Sequence, residues 1–177
     1  MHRPGIARTI GLLVISVFVV ALFLYAMLGS TVGRPSEANR VKHPSGFSGI
    51  GPANWTPVIT YTTNDGKGSD SVYFAPAKTE GRPISITYTR LPAADEANLI
   101  ANGYAAETIA GRRVLHLQTV KRDRKDIFLC KLGEQWFEVL TLRHIGDHDD
   151  ARWREYVATL RVEAAATTTR GVIAPNG

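Results

Sequence analysis

The residues of this chain that could do chemistry gather in two short stretches. Residues 143–150 read Arg143-His144-Ile145-Gly146-Asp147-His148-Asp149-Asp150. Imidazole nitrogens and carboxylate oxygens are the donor set of Zn²⁺ or another divalent cation, so His144, Asp147 and His148 are candidate metal ligands. Helix capping accounts for the same acids, because Gly146 ends a strand and carboxylates at the start of the next helix complement its dipole; no metal is assigned. The second stretch is basic. Arg112, Arg113, Lys121, Arg122, Arg124 and Lys125 stand against Asp123 and Asp126, a net +4 over residues 111–126. If folding brings those cations together they would hold an anion or an acidic partner, whereas a solvated hairpin loop would only discourage pairing at the sheet edge.

Other reactive groups read as structural. Gly46-Phe47-Ser48-Gly49-Ile50-Gly51 is glycine-rich but has no P-loop lysine and no helix to follow it, and position 50 is Ile where a Gly-x-Ser-x-Gly elbow needs glycine. Cys130, between Leu129 and Lys131 in an apolar run, reads as a buried thiol. A single cysteine excludes an internal disulfide framework and every multi-cysteine metal site. His116 sits in an alternating run and reads as a sheet histidine, and Trp55, Trp136 and Trp153 read as core anchors. No catalytic residue and no cofactor is assigned, and the pattern favours binding over catalysis.

The elements that must position these groups follow from periodicity. Ile84, Ile86 and Tyr88 alternate with Ser85, Thr87 and Thr89, the period of a half-buried strand. Residues 58–62 and 71–74 are shorter strand candidates around an Asp65-Gly66 turn signal. Longer runs follow at 113–120, 127–132 and 135–143, the last two joined through Gly133 in a tight hairpin, with residues 121–126 as a hairpin turn before them. In the third run Trp136, Leu140 and Leu142 take one face and Phe137 and Val139 the other, so something must pack on each side of the sheet. Residues 93–104 predict a short helix with Ala97, Ile100, Ala101 and Tyr104 on one stripe. A second helix, with Asp147 as N-cap, places Trp153, Tyr156, Val157 and Leu160 on one face. The fold class is therefore α+β, an antiparallel β-sheet packed by helices in a sandwich-like arrangement, preceded by one transmembrane helix.

That last element comes from residues 10–28, IGLLVISVFVVALFLYAML, 19 positions without a charge. As a helix they would be ~28 Å long, close to the hydrocarbon thickness of a bilayer. Arg3 and Arg8 precede the run with no acid beside them, which puts the N-terminus in the cytoplasm and the rest of the chain outside it, as a single-pass inner-membrane protein with a periplasmic domain. A cleaved signal peptide is the alternative, although Ala26 and Leu28 do not make a small-x-small site. A lipoprotein is excluded because no cysteine follows the run. The expected organisation is a cytoplasmic N-terminus 1–9, a transmembrane helix 10–28, a Gly/Pro/Ser-rich juxtamembrane linker 29–46, a folded domain 47–163 and a disordered tail 164–177. Over its 177 residues the chain carries 21 Lys+Arg and 16 Asp+Glu; without Arg3 and Arg8 the balance is 19 to 16, a net of +3. So mild an excess on an exported domain is no nucleic-acid signal. The partners expected are the bilayer, through residues 10–28, and a membrane protein complex.

The order of the pieces resembles a family. Gly46-Phe47-Ser48 followed by Pro52 and Trp55, then Thr108-Ile109-Ala110-Gly111-Arg112 leading into a long strand, and a closing Tyr156-Val157-Ala158-Thr159-Leu160-Arg161-Val162 resemble the corresponding segments of PsbP-like domains over residues 46–163. The family is named for an extrinsic subunit of the oxygen-evolving complex. The resemblance implies an α/β/α sandwich and a noncatalytic accessory or binding role, here in a membrane-anchored bacterial type. Gly49 and Gly51 depart from the pattern by standing where strand-forming residues are usual, and the anchor is a helix rather than a lipid. Two further functions stay open: a small metal-dependent hydrolase built on residues 144–148, and a domain that senses a ligand between sheet and helix.

Overall fold

The computed structural model describes residues 32–63, 66–77, 84–119, 124–143 and 150–163. The alternating runs form a seven-stranded sheet, built from β3 (Trp55–Thr60), β4 (Ser71–Pro76), β5 (Ser85–Leu91), β6 (Ala105–Ile109), β7 (Arg112–Thr119), β8 (Arg124–Leu132) and β9 (Gln135–Arg143). Their order across the sheet is β3-β4-β5-β9-β8-β7-β6, with every neighbouring pair antiparallel. The class is α+β. Short connections enforce this order. Gly133, at φ +61°, opens the two-residue β8–β9 turn between the paired Leu132 and Gln135, as a type II′ hairpin requires. Ala110 and Gly111, at φ +49° and +75°, make the β6–β7 turn between the paired Ile109 and Arg112.

Period two gives the sheet two chemically different faces. One carries Val72, Phe74, Ile86, Tyr88, Val114, Phe128, Cys130, Phe137 and Val139, all buried in the main core. A three-stranded sheet of β1 (Arg40–His43), β2 (Phe47–Ile50) and β10 (Arg161–Val162) packs here, in the order β1-β2-β10. Beside it lies the second helix, α2 (Asp150–Val157), burying Trp153, Tyr156 and Val157 as its spacing predicts. The outer layer on this side is thus a helix and a small sheet together, rather than helices alone.

The opposite face is covered only in part, by α1 (Glu96–Ala101). Asp95 caps it, its carboxylate accepting from the Ala97 N–H at 3.0 Å. Asn102 and Gly103, the latter at φ +94°, end it after six residues. With so few turns the expected stripe is not the one used. Ala97, Ile100 and Ala101 are exposed, and Leu99 packs with Leu91, Ala94 and Tyr104 against Leu115, Leu129 and Trp136.

The folded body starts earlier than the composition predicts. Val32 is 1% exposed and belongs to the main core, and Glu37–Asn39 form a 3-10 turn. β1 then pairs with β2 from Arg40↔Ile50 to His43↔Phe47, inside the segment 29–46 expected to be a linker. The correction has a physical reason: a segment with few apolar residues of its own can be ordered by apolar surface supplied from elsewhere. Here His43 stacks on Phe47 at 4.7 Å between ring centroids, and its Nε2 lies 2.8 Å from the Thr60 carbonyl oxygen. The expected spanning segment 10–28 and the expected tail 164–177 lie outside the described residues. Among the described residues no helix is long and apolar enough to cross a membrane.

Candidate functional site

Strand lengths decide the fate of the basic cluster. Arg112 and Arg113 open β7, whereas Arg124 and Lys125 open β8 next to the other end of β7, where Thr119 pairs with Lys125. Eight residues of strand rise roughly 24 Å between those ends. The four described cations therefore form two separate groups. Lys121 and Arg122 lie outside the described residues. Arg112 donates from Nη1 to the Leu160 carbonyl at 2.6 Å, holding the chain after α2 against the sheet. Arg113 reaches Glu96 on α1 at 2.5 Å on the opposite face. Arg124 approaches Asp150 at 3.8 Å.

Of the metal candidates, His144, Asp147 and His148 all lie outside the described residues. Among the described residues no group of three or more His, Cys, Asp or Glu is placed to hold a metal ion. The glycine-rich run is β2 itself, a strand packed face-on against the large sheet. A Cβ on Gly49 would come within 2.5 Å of the Tyr88 ring, and one on Gly51 within 2.0 Å of Phe74. Close backbone approach, rather than phosphate binding, accounts for these glycines. Ser48 is buried and accepts from Arg40 Nη1 at 3.0 Å. Cys130 is buried too, and loss of solvation pushes its thiol up to about 12, far from a reactive thiolate.

The feature the sequence reading missed is a continuous ionic network between α2 and strands β6 to β9. Asp126, 0% exposed, and Arg143, 1% exposed, form a buried ion pair, and Arg143 also holds Asp150 at the start of α2. Asp126 takes a contact from His116 Nε2 at 3.0 Å; the Nδ1 of the same ring stands 3.4 Å from Glu107 Oε1. Glu107 is held in turn by Arg154 of α2. The imidazole stacks on Phe128 with ring centroids 4.3 Å apart and an interplanar angle of 6°. Arg154 lies over the same Phe128 ring at 5.8 Å.

Three guanidinium groups, those of Arg124, Arg143 and Arg154, thus face the carboxylates of Asp126, Asp150 and Glu107. The charges balance when His116 is neutral. Burial lowers the pKa of His116; the Glu107 carboxylate opposes that, and the Arg154 guanidinium adds to it. A neutral ring donating from Nε2 to Asp126 points its Nδ1 lone pair at Glu107 Oε1, an atom with no hydrogen-bond partner among the described residues. Asp150 is pulled the other way from its own burial, to below the usual carboxylate range, by its hydrogen bond and charge contact with Arg143. With each carboxylate already committed to a guanidinium, the arrangement is suited to clamping α2 on the sheet rather than to moving protons.

No family model matches the sequence, and no curated protein matches it. Among solved structures the chain is similar to the solution structure of cyanobacterial PsbP (CyanoP) from Synechocystis sp. PCC 6803. The identity is 12% and the TM-score 0.46, with 75% of this chain and 98% of that chain covered. Nothing about activity follows from a likeness of that size.

A signal for the network was present in the alternation. Counting by two from Phe128 and Cys130 puts Asp126 on the apolar face of β8, and counting from Phe137 and Val139 does the same for Arg143. A carboxylate and a guanidinium at core positions of neighbouring strands must be paired to be tolerated. The grouping of Asp126 with a solvated loop overlooked that parity.

Proposed function

We propose that the chain is a membrane-anchored binding or assembly domain, held by residues 10–28 with its N-terminus in the cytoplasm, whose extracytoplasmic domain docks on a membrane protein complex. The observation that carries this reading is a row of apolar side chains across the face of the large sheet away from α2. Register places Val58 beside Tyr73, Tyr73 beside Thr87, Thr87 beside Leu140, Leu140 beside Ile127 and Ile127 beside Leu117. Val58 and Tyr73 are 48% and 37% exposed, and Leu117, Ile127 and Leu140 are half-buried. α1 covers the neighbouring Leu115, Leu129 and Trp136, and Ile127 packs at the edge of that cluster, so the open end of the row is Val58 and Tyr73. Exposed apolar side chains gathered on one sheet face are the usual mark of a docking face, and the buried pairing of the ionic network argues for a rigid platform behind it.

The test is photo-crosslinking in intact cells from Tyr73 and Leu140, with Glu155 on the outer side of α2 as the control position. The reading expects one discrete protein adduct from the sheet positions, lost when Ile127→Lys is added, and none from position 155. The same adduct from all three positions, or none from the sheet, would rule the docking face out.

A further inference from the structure

Val32 lies only four residues beyond Leu28, the last position of the uncharged run. Whatever the conformation of residues 29–31, a chain of that length reaches at most ~14 Å. The headgroup layer of one leaflet already occupies about 5–7 Å of that distance. Val32 is not at the end of a tether: it is 1% exposed within the main core. The carbonyl of Gly33 accepts from the Tyr156 hydroxyl at 3.2 Å, so the chain enters the domain along α2. A compact body of the size spanned by residues 32–163 has a radius of gyration of ~14 Å. Its leash is no longer than its own radius.

We infer that the bilayer headgroups are themselves a docking partner of this domain, resting against the side formed by residues 33–36 and the outer positions of α2. The inference depends on the anchoring proposed above and adds an orientation to it. Arg34 is exposed at the entry, and on α2 Arg152 and Glu155 form an ion pair at 3.0 Å, giving a polar surface suited to zwitterionic and anionic headgroups. The large sheet lies behind α2, about one layer spacing or roughly 10 Å away, with the apolar row on its far face, and α1 is a further spacing out, roughly 20 Å from α2. The short leash thereby turns the docking face away from the lipid and toward whatever stands above the membrane.

The experiment uses the full chain reconstituted in phosphatidylcholine vesicles containing phosphatidylglycerol and a headgroup-attached quencher. Fluorophores are placed through Arg34→Cys, Glu155→Cys and Ala97→Cys, Cys130 being buried. Flotation with the vesicles is scored in the same samples. The expected result is strong quenching at positions 34 and 155 and severalfold weaker quenching at 97. A Gly/Ser insert of about twelve residues between Thr31 and Val32, with a span of roughly 20 Å, should remove most of that contrast. Equal quenching at the three positions in a chain that floats, or a contrast the insert leaves unchanged, overturns the leash inference alone. A chain that does not float overturns the anchor and this inference with it.

Discussion

Removing the Asp126 carboxylate tests the clamp at its most buried point. In Asp126→Ala, Arg143 keeps its charge at a 1% exposed position with only Asp150 left to hold it, and the His116 Nε2 contact has no acceptor. Breaking a buried ion pair from one side costs about 3–5 kcal/mol. For a domain between the 100- and 150-residue benchmarks that is a fall of roughly 10–25 °C in melting temperature. Arg143→Met leaves Asp126 as the uncompensated charge and should cost about the same. In a cycle with Asp126→Leu and Arg143→Met as the single changes, the double variant Asp126→Leu/Arg143→Met removes both charges and fills the space, so it should cost no more than one single change, a coupling of about 3 kcal/mol. Thermal and urea melts of the full chain in detergent micelles, followed by tryptophan emission, give all the values, because Trp153 is fully buried on α2. Losses that simply add, or an Asp126→Ala variant within about 1 kcal/mol of the parent, would refute the claim that this pair anchors the network holding α2 on the sheet.

Three further outcomes are expected. Gly49→Ala should lose about 1–3 kcal/mol by overpacking, since its Cβ would meet Tyr88, whose hydroxyl is fixed near the Ile50 and Tyr156 carbonyl oxygens at 2.8 and 3.1 Å; urea melts check this, and a neutral result would mean that β2 does not press on that ring. Ala110→Asn should gain about 0.5–1 kcal/mol, because Ala110 holds φ +49° in a turn where asparagine is more at ease; a loss in the same melts would contradict the turn geometry. The native His116 binds its proton more weakly than the unfolded chain does, so the unfolded state holds more protons as pH falls through the ordinary histidine range, and stability must drop on acidification. His116→Gln should flatten the stability profile between about pH 5 and 7; a parent whose stability rises over that interval on acidification would reverse the assignment.

How much of this was legible in the sequence depends on whether the deciding partner was local. Alternation along 135–143 divided the two faces of β9 correctly, because side-chain direction in a strand depends on position alone. Trp153, Tyr156 and Val157 were found on one helix face for the same reason. The order of β1 escaped notice because its stabilising surface, Phe47 and the body beneath it, is not in the segment itself. Gly49 and Gly51 looked like departures from a strand pattern; they are where β2 runs against Tyr88 and Phe74, ring contacts that no local period encodes. The basic residues are close in sequence yet split across the length of β7, since a hairpin separates what its turn does not include. Asp126 and Arg143 were individually visible, and only the β8–β9 register makes them a pair.

The proposed function requires the domain to lie outside the cytoplasm while still attached to the membrane. An impermeant thiol reagent applied to intact cells carrying Ala97→Cys, followed by lysis and carbonate washing of the membranes, measures both at once. The expected result is a chain modified before lysis and retained in the washed membrane pellet. Modification only after lysis, or a modified chain released into the soluble fraction, would contradict it.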